Sequence, residues 1–167
     1  MLGWGQRRQQ QVSEILYGNA VEMARAPSFF ADHGVADTVD GRFDALALVV
    51  ALIMRRLKDC GEAGQDLSQQ LFDTMFADMD LSLREMGAGD IGVAKRVRVM
   101  AEGFMGRLDA YASALDSRDR VALGAALQRN LLRGDGEAGD PLIDFVLGLE
   151  AWIADIDAEL LLKGRLG

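Results

Sequence analysis

The sequence predicts an all-α fold, a single-domain bundle of about six helices. Three observations carry this. Ala, Leu, Met, Asp, Glu and Arg outweigh β-branched and aromatic residues, and there are only two prolines, a bias toward helix. Apolar residues recur at spacings of three and four, and no segment sustains the two-residue alternation of a half-buried strand. With 167 residues, 50% hydrophobic and 26% charged, the chain can bury one substantial core and is too apolar to be disordered.

The elements follow in order. Residues 1–10, rich in Gly, Gln and Arg, read as a flexible tail before a helical domain spanning 11–162. The first helix is predicted over 11–26, with Val12, Ile15, Leu16 and Met23 inward. Pro27 ends it, because the residue before proline avoids the helical region. Residues 28–33 form at most one short turn and 34–39 a loop. Asp40 is placed to cap a second helix over 41–60. That helix is apolar all round between Ala45 and Met54, the mark of an element buried on most sides. The run is about half the length a membrane span requires, and Arg55 and Arg56 close it.

Gly61, Glu62, Ala63 and Gly64 break the chain before a third helix over 65–86, with Leu71, Met75, Met79 and Met86 as its stripe. Gly87, Ala88 and Gly89 break it again. Asp90 is placed to cap a fourth helix over 91–115, striped by Val93, Val97, Met100, Phe104, Leu108, Tyr111 and Leu115. Gly103 and Gly106 inside it cost about 1 kcal/mol each relative to alanine, and their small size would admit a close neighbouring helix. Ser117 caps a fifth helix to about residue 132. After a loop over 134–139, Asp140 and Pro141 give a cap and a proline at the first helical position. The sixth, acidic helix then runs over 140–162, with Leu142, Phe145, Val146, Leu149, Trp152, Ile153, Ile156 and Leu160 inward.

The formal net charge is −8, and its location matters. Residues 134–160 carry eight acids and no Lys or Arg, while the other 18 acids and 18 bases cancel. Such a block is a solvated face or a docking surface for a basic partner. Global acidity argues against general nucleic-acid binding. The single cysteine, Cys60, makes no intramolecular disulfide, in keeping with a reducing compartment. Residues 1–11 lack the apolar core of a secretory signal. The expected location is cytoplasmic.

Two stretches match G-x-G-x-x-G, at Gly87–Gly92 and Gly134–Gly139. Helices precede both, so the strand that a dinucleotide site requires is missing. Asp78, Asp80 and Ser82 begin like a calcium loop, but Leu83 and Gly89 stand where Gly and Glu are needed. No catalytic nucleophile–base pair and no metal-ligand spacing stands out, and His33 has no second histidine beside it. The sequence predicts no enzyme, no metal and no cofactor.

Binding candidates are clearer. Asp73, Asp80 and Arg84 share one helical face; they form either a wet Asp80–Arg84 pair or a recognition face. Lys95, Arg96 and Arg98 lie in the first turns of a helix, where basic residues oppose the dipole. They are either solvated or aimed at an anion or acidic peptide.

Two blocks carry a resemblance. The first is Ala24–Phe30 (ARAPSFF) with Gly34–Asp44 (GVADTVDGRFD). The second runs from Leu71 and Phe72 through Asp78–Asp80, Ser82–Gly87 (SLREMG), Gly89, Asp90 and Val93–Arg96 (VAKR). Over about residues 14–130 the chain resembles the ubiquinol–cytochrome c chaperone family, with Phe30, Ala36 and Ala94 departing mildly from the family pattern. The acidic C-terminal helix lies largely outside the resemblance. A bacterial member is implied, since residues 1–11 lack the targeting region of mitochondrial relatives.

The resemblance implies a complex III assembly chaperone. Such a protein would bind newly made apo-cytochrome b, or another early complex III intermediate, at the cytoplasmic face of the inner membrane. It further implies contacts with the ribosome near its exit tunnel, a small protein partner and peripheral membrane contact. The candidate client- or partner-binding residues are Phe30, Asp37, Arg42, Phe43, Asp73, Asp78, Asp80, Arg84, Glu85, Asp90, Lys95 and Arg96. Asp73, Asp78 and Asp80 would hold Lys- and Arg-rich loops of the client. Arg42, Lys95 and Arg96 would instead serve an alternative role, a ribosome- or RNA-associated regulatory adaptor.

Overall fold

A computed structural model describes residues 3–87 and 89–167. Seven α-helices and one π-helical turn are found among the described residues, with no strand: α1 (Trp4–Ala24), the π turn (Ser28–Asp32), α2 (Val39–Leu57), α3 (Gly61–Glu85), α4 (Asp90–Asp116), α5 (Arg120–Asn130), α6 (Asp140–Ala154) and α7 (Ala158–Leu161). The all-α bundle expected from the sequence is what forms.

Helix α2 is the central post, buried almost without interruption from Phe43 to Met54. It packs against α1, α3, α4 and α6, so each neighbour turns one apolar stripe toward it. The α4 stripe is as predicted, with Val93, Phe104, Leu108, Tyr111 and Leu115 buried. Phe72 and Phe76 of α3 meet Phe104 of α4, with ring centroids 5.7 and 5.9 Å apart.

Helices α1 and α3 run parallel, joined by a polar ladder. Gln70 donates to Gln9 at 3.2 Å, Ser13 and Thr74 share a hydrogen bond at 3.0 Å, and the Tyr17 hydroxyl donates to Asp78 at 2.6 Å. The rungs are four residues apart on both helices, the spacing that keeps side chains on one face.

A buried charge ties the second half of the chain to the first. The Asp44 side chain has no solvent exposure. It accepts two hydrogen bonds from Arg133, at 2.6 and 3.2 Å, and lies 3.0 Å from Arg107 of α4. Arg107 also stacks over Phe43, 5.3 Å from the ring centre. Arg133 sits just beyond α5 at φ 53°, a left-handed conformation that costs an arginine about 1–2 kcal/mol. Burial pushes the Asp44 carboxyl above its ordinary range, and its hydrogen bonds with Arg133 and the charges of Arg107 and Arg133 offset that in part. Lower on α2, Arg55 reaches Asp116 at 2.6 Å and Glu150 at 2.8 Å, clipping the end of α4 and helix α6 to the post.

Several expectations are corrected. Residues 4–10 are not a tail but the first turns of α1; Met1 and Leu2 lie outside the described residues. Gln and Arg are good helix formers, and the Gln6 side chain accepts from the Gly3 N–H at 3.1 Å. Thr38, not Asp40, caps α2, accepting from Gly41. The break before α3 falls at 58–60, and Gly61, Glu62, Ala63 and Gly64 all belong to α3, Gly61 entering it at φ +70°. Gly64 is needed there because a Cβ would lie 2.1 Å from the Leu57 carbonyl oxygen.

At the next break, Gly87 is at φ +88° and Gly89 rather than Asp90 occupies the cap of α4; Ala88 lies outside the described residues. Gly103 and Gly106 admit no neighbour, since a Cβ on either would meet nothing within 4 Å. Asp119, not Ser117, caps α5. The last predicted helix splits at Asp155–Asp157, because Asp157 accepts from the N–H groups of Glu159 and Leu160 and starts α7 afresh. Ile15, Met86 and Trp152, expected inward, are exposed.

Two measurements test this account. Asp44→Ala strands two guanidinium groups and is expected to lower stability by roughly 3 kcal/mol in urea unfolding, the low end for a broken buried pair because Arg133 is half exposed; a loss within error of zero would remove Asp44 as a tether. Both tyrosines are buried, and burial first, with the Asp78 hydrogen bond for Tyr17, raises their pKa values well beyond the usual range. Because the folded values are raised, this contribution to stability is complete below the unfolded value of about 10 and is lost as pH rises above it. Ultraviolet titration should show phenolate appearing only together with alkaline unfolding, and phenolate forming earlier in folded protein would contradict the burial of both hydroxyls.

Candidate functional site

Because α2 runs against α1 and α3, and α4 against α3, four chain segments meet at one end of the bundle. They are the turns after α1, the start of α2, the end of α3 and the start of α4. Arg96 of α4 lies 4.0 Å from Asp40 of α2, which closes this end. Most of the sequence-selected residues gather here.

They do different things. Arg84 is a bridge at the corner, donating to Asp80 at 2.8 Å and pairing with Asp90 across the α3–α4 turn. The Asp80 hydrogen bond and charge raise the guanidinium pKa further, with Asp90 adding to it. Asp37 pairs with Arg42 at 2.8 Å on the surface. Glu85 and Lys95 are exposed. Phe30 is half-buried with its ring edge-on to Phe29, 6.5 Å away; Phe29 in turn packs on Phe145 of α6 at 5.1 Å.

Three selected residues stand apart from the surface of this corner. Phe43 is buried beneath Arg107. Asp78 faces α1 as the acceptor for Tyr17. Asp73 is exposed but lies nearly two turns below Asp80, accepting from Gln69 at 3.1 Å. The three aspartates therefore do not form one open acidic face.

Apolar exposure is what the sequence reading missed. Among the described residues, Val39, Leu81, Met86, Ile91 and Val99 account for five of the ten large hydrophobics left exposed, and all five belong to this end. Ile91 is 89% and Met86 64% exposed. A signal existed for most of them: Leu81 lies off the inward stripe of α3, and Ile91 and Val99 lie off that of α4. Met86 sits at the cap of α3, beyond the last turn its stripe can bury. The corner thus combines a discontinuous apolar surface with a rim of charges of both signs: Asp80, Arg84, Glu85, Asp90, Lys95, Arg96 and Arg98. Such a surface can hold an apolar segment flanked by charges.

His33 and Cys60 occupy separate settings. The His33 ring packs 4.6 Å from Phe145, and the Cys60 thiol lies 3.3 Å from the Arg56 guanidinium at the α2–α3 turn.

The family described as ubiquinol-cytochrome C chaperone matches residues 31–166, running on through the acidic C-terminal segment that the sequence resemblance left largely outside. Ubiquinol-cytochrome-c reductase complex assembly factor 1 of Xenopus laevis is 29% identical over 157 residues, covering 90% of this chain and 77% of that protein. The crystal structure of the Cbp3 homolog from Brucella abortus superposes with a TM-score of 0.80 at 36% identity, covering 95% of this chain and 88% of that one.

Proposed function

The chain belongs to the ubiquinol-cytochrome C chaperone family, and from that premise we propose that it is a non-catalytic assembly chaperone for ubiquinol–cytochrome c reductase, complex III. Its client is apo-cytochrome b or another early intermediate of that complex. The protein works at the cytoplasmic face of the inner membrane; no helix among the described residues is long and apolar enough to cross a membrane itself.

The observation that carries this reading is the exposed apolar corner between α3 and α4. A protein that holds a membrane segment before insertion needs apolar surface for the segment and charge for its polar flanks. Leu81, Met86, Ile91 and Val99 supply the first. Exposed Glu85 meets client lysines and arginines, while Arg84 holds Asp80 and Asp90 in place beside it. The opposing adaptor reading rests on Arg42, Lys95 and Arg96. It is weaker because Arg42 is already paired with Asp37 and Arg96 lies beside Asp40.

Met86→Lys combined with Ile91→Lys is the direct test. Each side chain contributes about 1.5–3 kcal/mol if fully buried against a client, so crosslinking to newly made cytochrome b should fall at least tenfold while the helical circular dichroism is unchanged. Full capture by the folded double variant would remove the corner as the client surface. In a deletion strain, the b-type signal of a reduced-minus-oxidised haem spectrum and ubiquinol–cytochrome c reductase activity should fall together and return with the gene; normal values for both would overturn the assembly role.

A further inference from the structure

The first turns of α1 lie along the start of α3, where Gly5, Arg8 and Gln9 share a shallow cleft with Glu62, Asp66 and Gln70, and turn their other side to solvent. Every residue from Gly3 to Gln11 is exposed, and burial begins only at Val12 and Ser13. On this exposed stretch Trp4, Arg7, Arg8 and Gln11 fall on one side of the helix, since residues three, four and seven apart share a face. Ile15, 46% exposed, continues that side by another turn. Trp4 is 87% exposed. Arg8 borders a shallow cleft with Glu62 and Asp66, but neither Arg7 nor Arg8 makes an ion pair among the described residues. No acid precedes Glu14, whereas the chain beyond residue 13 carries ten more acids than bases.

We propose that this face of α1 docks the protein onto an anionic lipid bilayer. A tryptophan ring, apolar with one polar edge, is most stable at the headgroup level of a membrane. Arginines one turn further along the helix lay their stems on the apolar boundary and keep their guanidinium groups among the phosphates. The rest of the chain is net acidic and is repelled on balance by the same bilayer, so the field favours this face and biases the orientation of the molecule. Two cations and one aromatic ring give weak, reversible attachment rather than insertion. A nucleic acid fits less well, because two cations displace few counterions. The ladder from Gln9 to Tyr17 fastens the following turns to α3, so the docked stretch carries the whole bundle with it.

The α3–α4 corner lies at the other end of α3 from this stretch, since α1 and α3 are parallel. The docking proposal therefore does not depend on the client surface.

The test uses the full chain in a Trp152→Phe background, which leaves Trp4 as the sole tryptophan. Trp4 emission is followed during titration with phosphatidylcholine vesicles and with mixed phosphatidylglycerol–phosphatidylcholine vesicles. The expected result is a blue shift with the anionic vesicles only, lost in high salt. Arg7→Gln with Arg8→Gln should lower the partition constant on the order of 30-fold, from about 1 kcal/mol per basic residue near an anionic surface. No shift with anionic vesicles at low salt, or an unchanged constant in the double variant, would overturn the proposal. Binding to heparin without a spectral shift, where vesicles give none either, would assign the face to a non-lipid polyanion and overturn it as well. These vesicles contain no client, so failure here leaves the chaperone reading standing.

Discussion

The structure depends on one buried carboxylate. Asp44 lies in the most apolar helix of the chain, and a charge in that setting needs partners from outside its own element. Arg107 arrives from α4 and Arg133 from the end of α5, so the α4–α5 half of the chain is held to the central post by its electrostatics as well as by its packing. The same contact explains an uncommon backbone. Arg133 takes a left-handed conformation that favours glycine, and its two hydrogen bonds to Asp44 offset that cost. Arg55 repeats the logic at the other end of α2, where one guanidinium serves both Asp116 and Glu150.

This arrangement leaves the two ends of the bundle with different surfaces. At the end where α3 passes into α4, short connections and capped helices hold exposed apolar side chains inside a ring of charges. Their exposure costs the isolated chain solubility and gains it nothing in folding, which is why a binding role is the economical reading of Met86 and Ile91. At the other end the first turns of α1 expose a tryptophan and two arginines that make no ion pair among the described residues. The polar ladder between α1 and α3 ties the helices that lead to both ends, because Tyr17 and Asp78 meet within the seam rather than facing solvent.

The family relationship and the geometry answer different questions. Relatives identify the kind of work the protein does, since the match covers residues 31–166. Geometry separates the sequence-selected residues by role. Phe43 and Asp78 shape the interior, Asp80, Arg84 and Asp90 brace the corner, and Glu85 and Lys95 stand free around it. The motif strings thus contain residues that serve folding beside residues open to solvent, and only their neighbours in space separate the two.

The sequence alone determined the helical class, the central position of the apolar 45–54 segment, the α4 stripe and the approximate place of most breaks, because these follow from local periodicity and from glycine and proline. It also contained the motif blocks that carry the family. Tertiary structure decided the rest. Whether Gln- and Arg-rich residues 4–10 are helical depends on α1 having α3 to lean on, and whether Asp78 is a surface acid depends on Tyr17, 61 residues away in the chain. The partners of Asp44 lie 63 and 89 residues beyond it. Those contacts, and the exposure of Met86 and Ile91, arise when distant helices pack together, and no periodicity within a single helix encodes which face its neighbours will leave open.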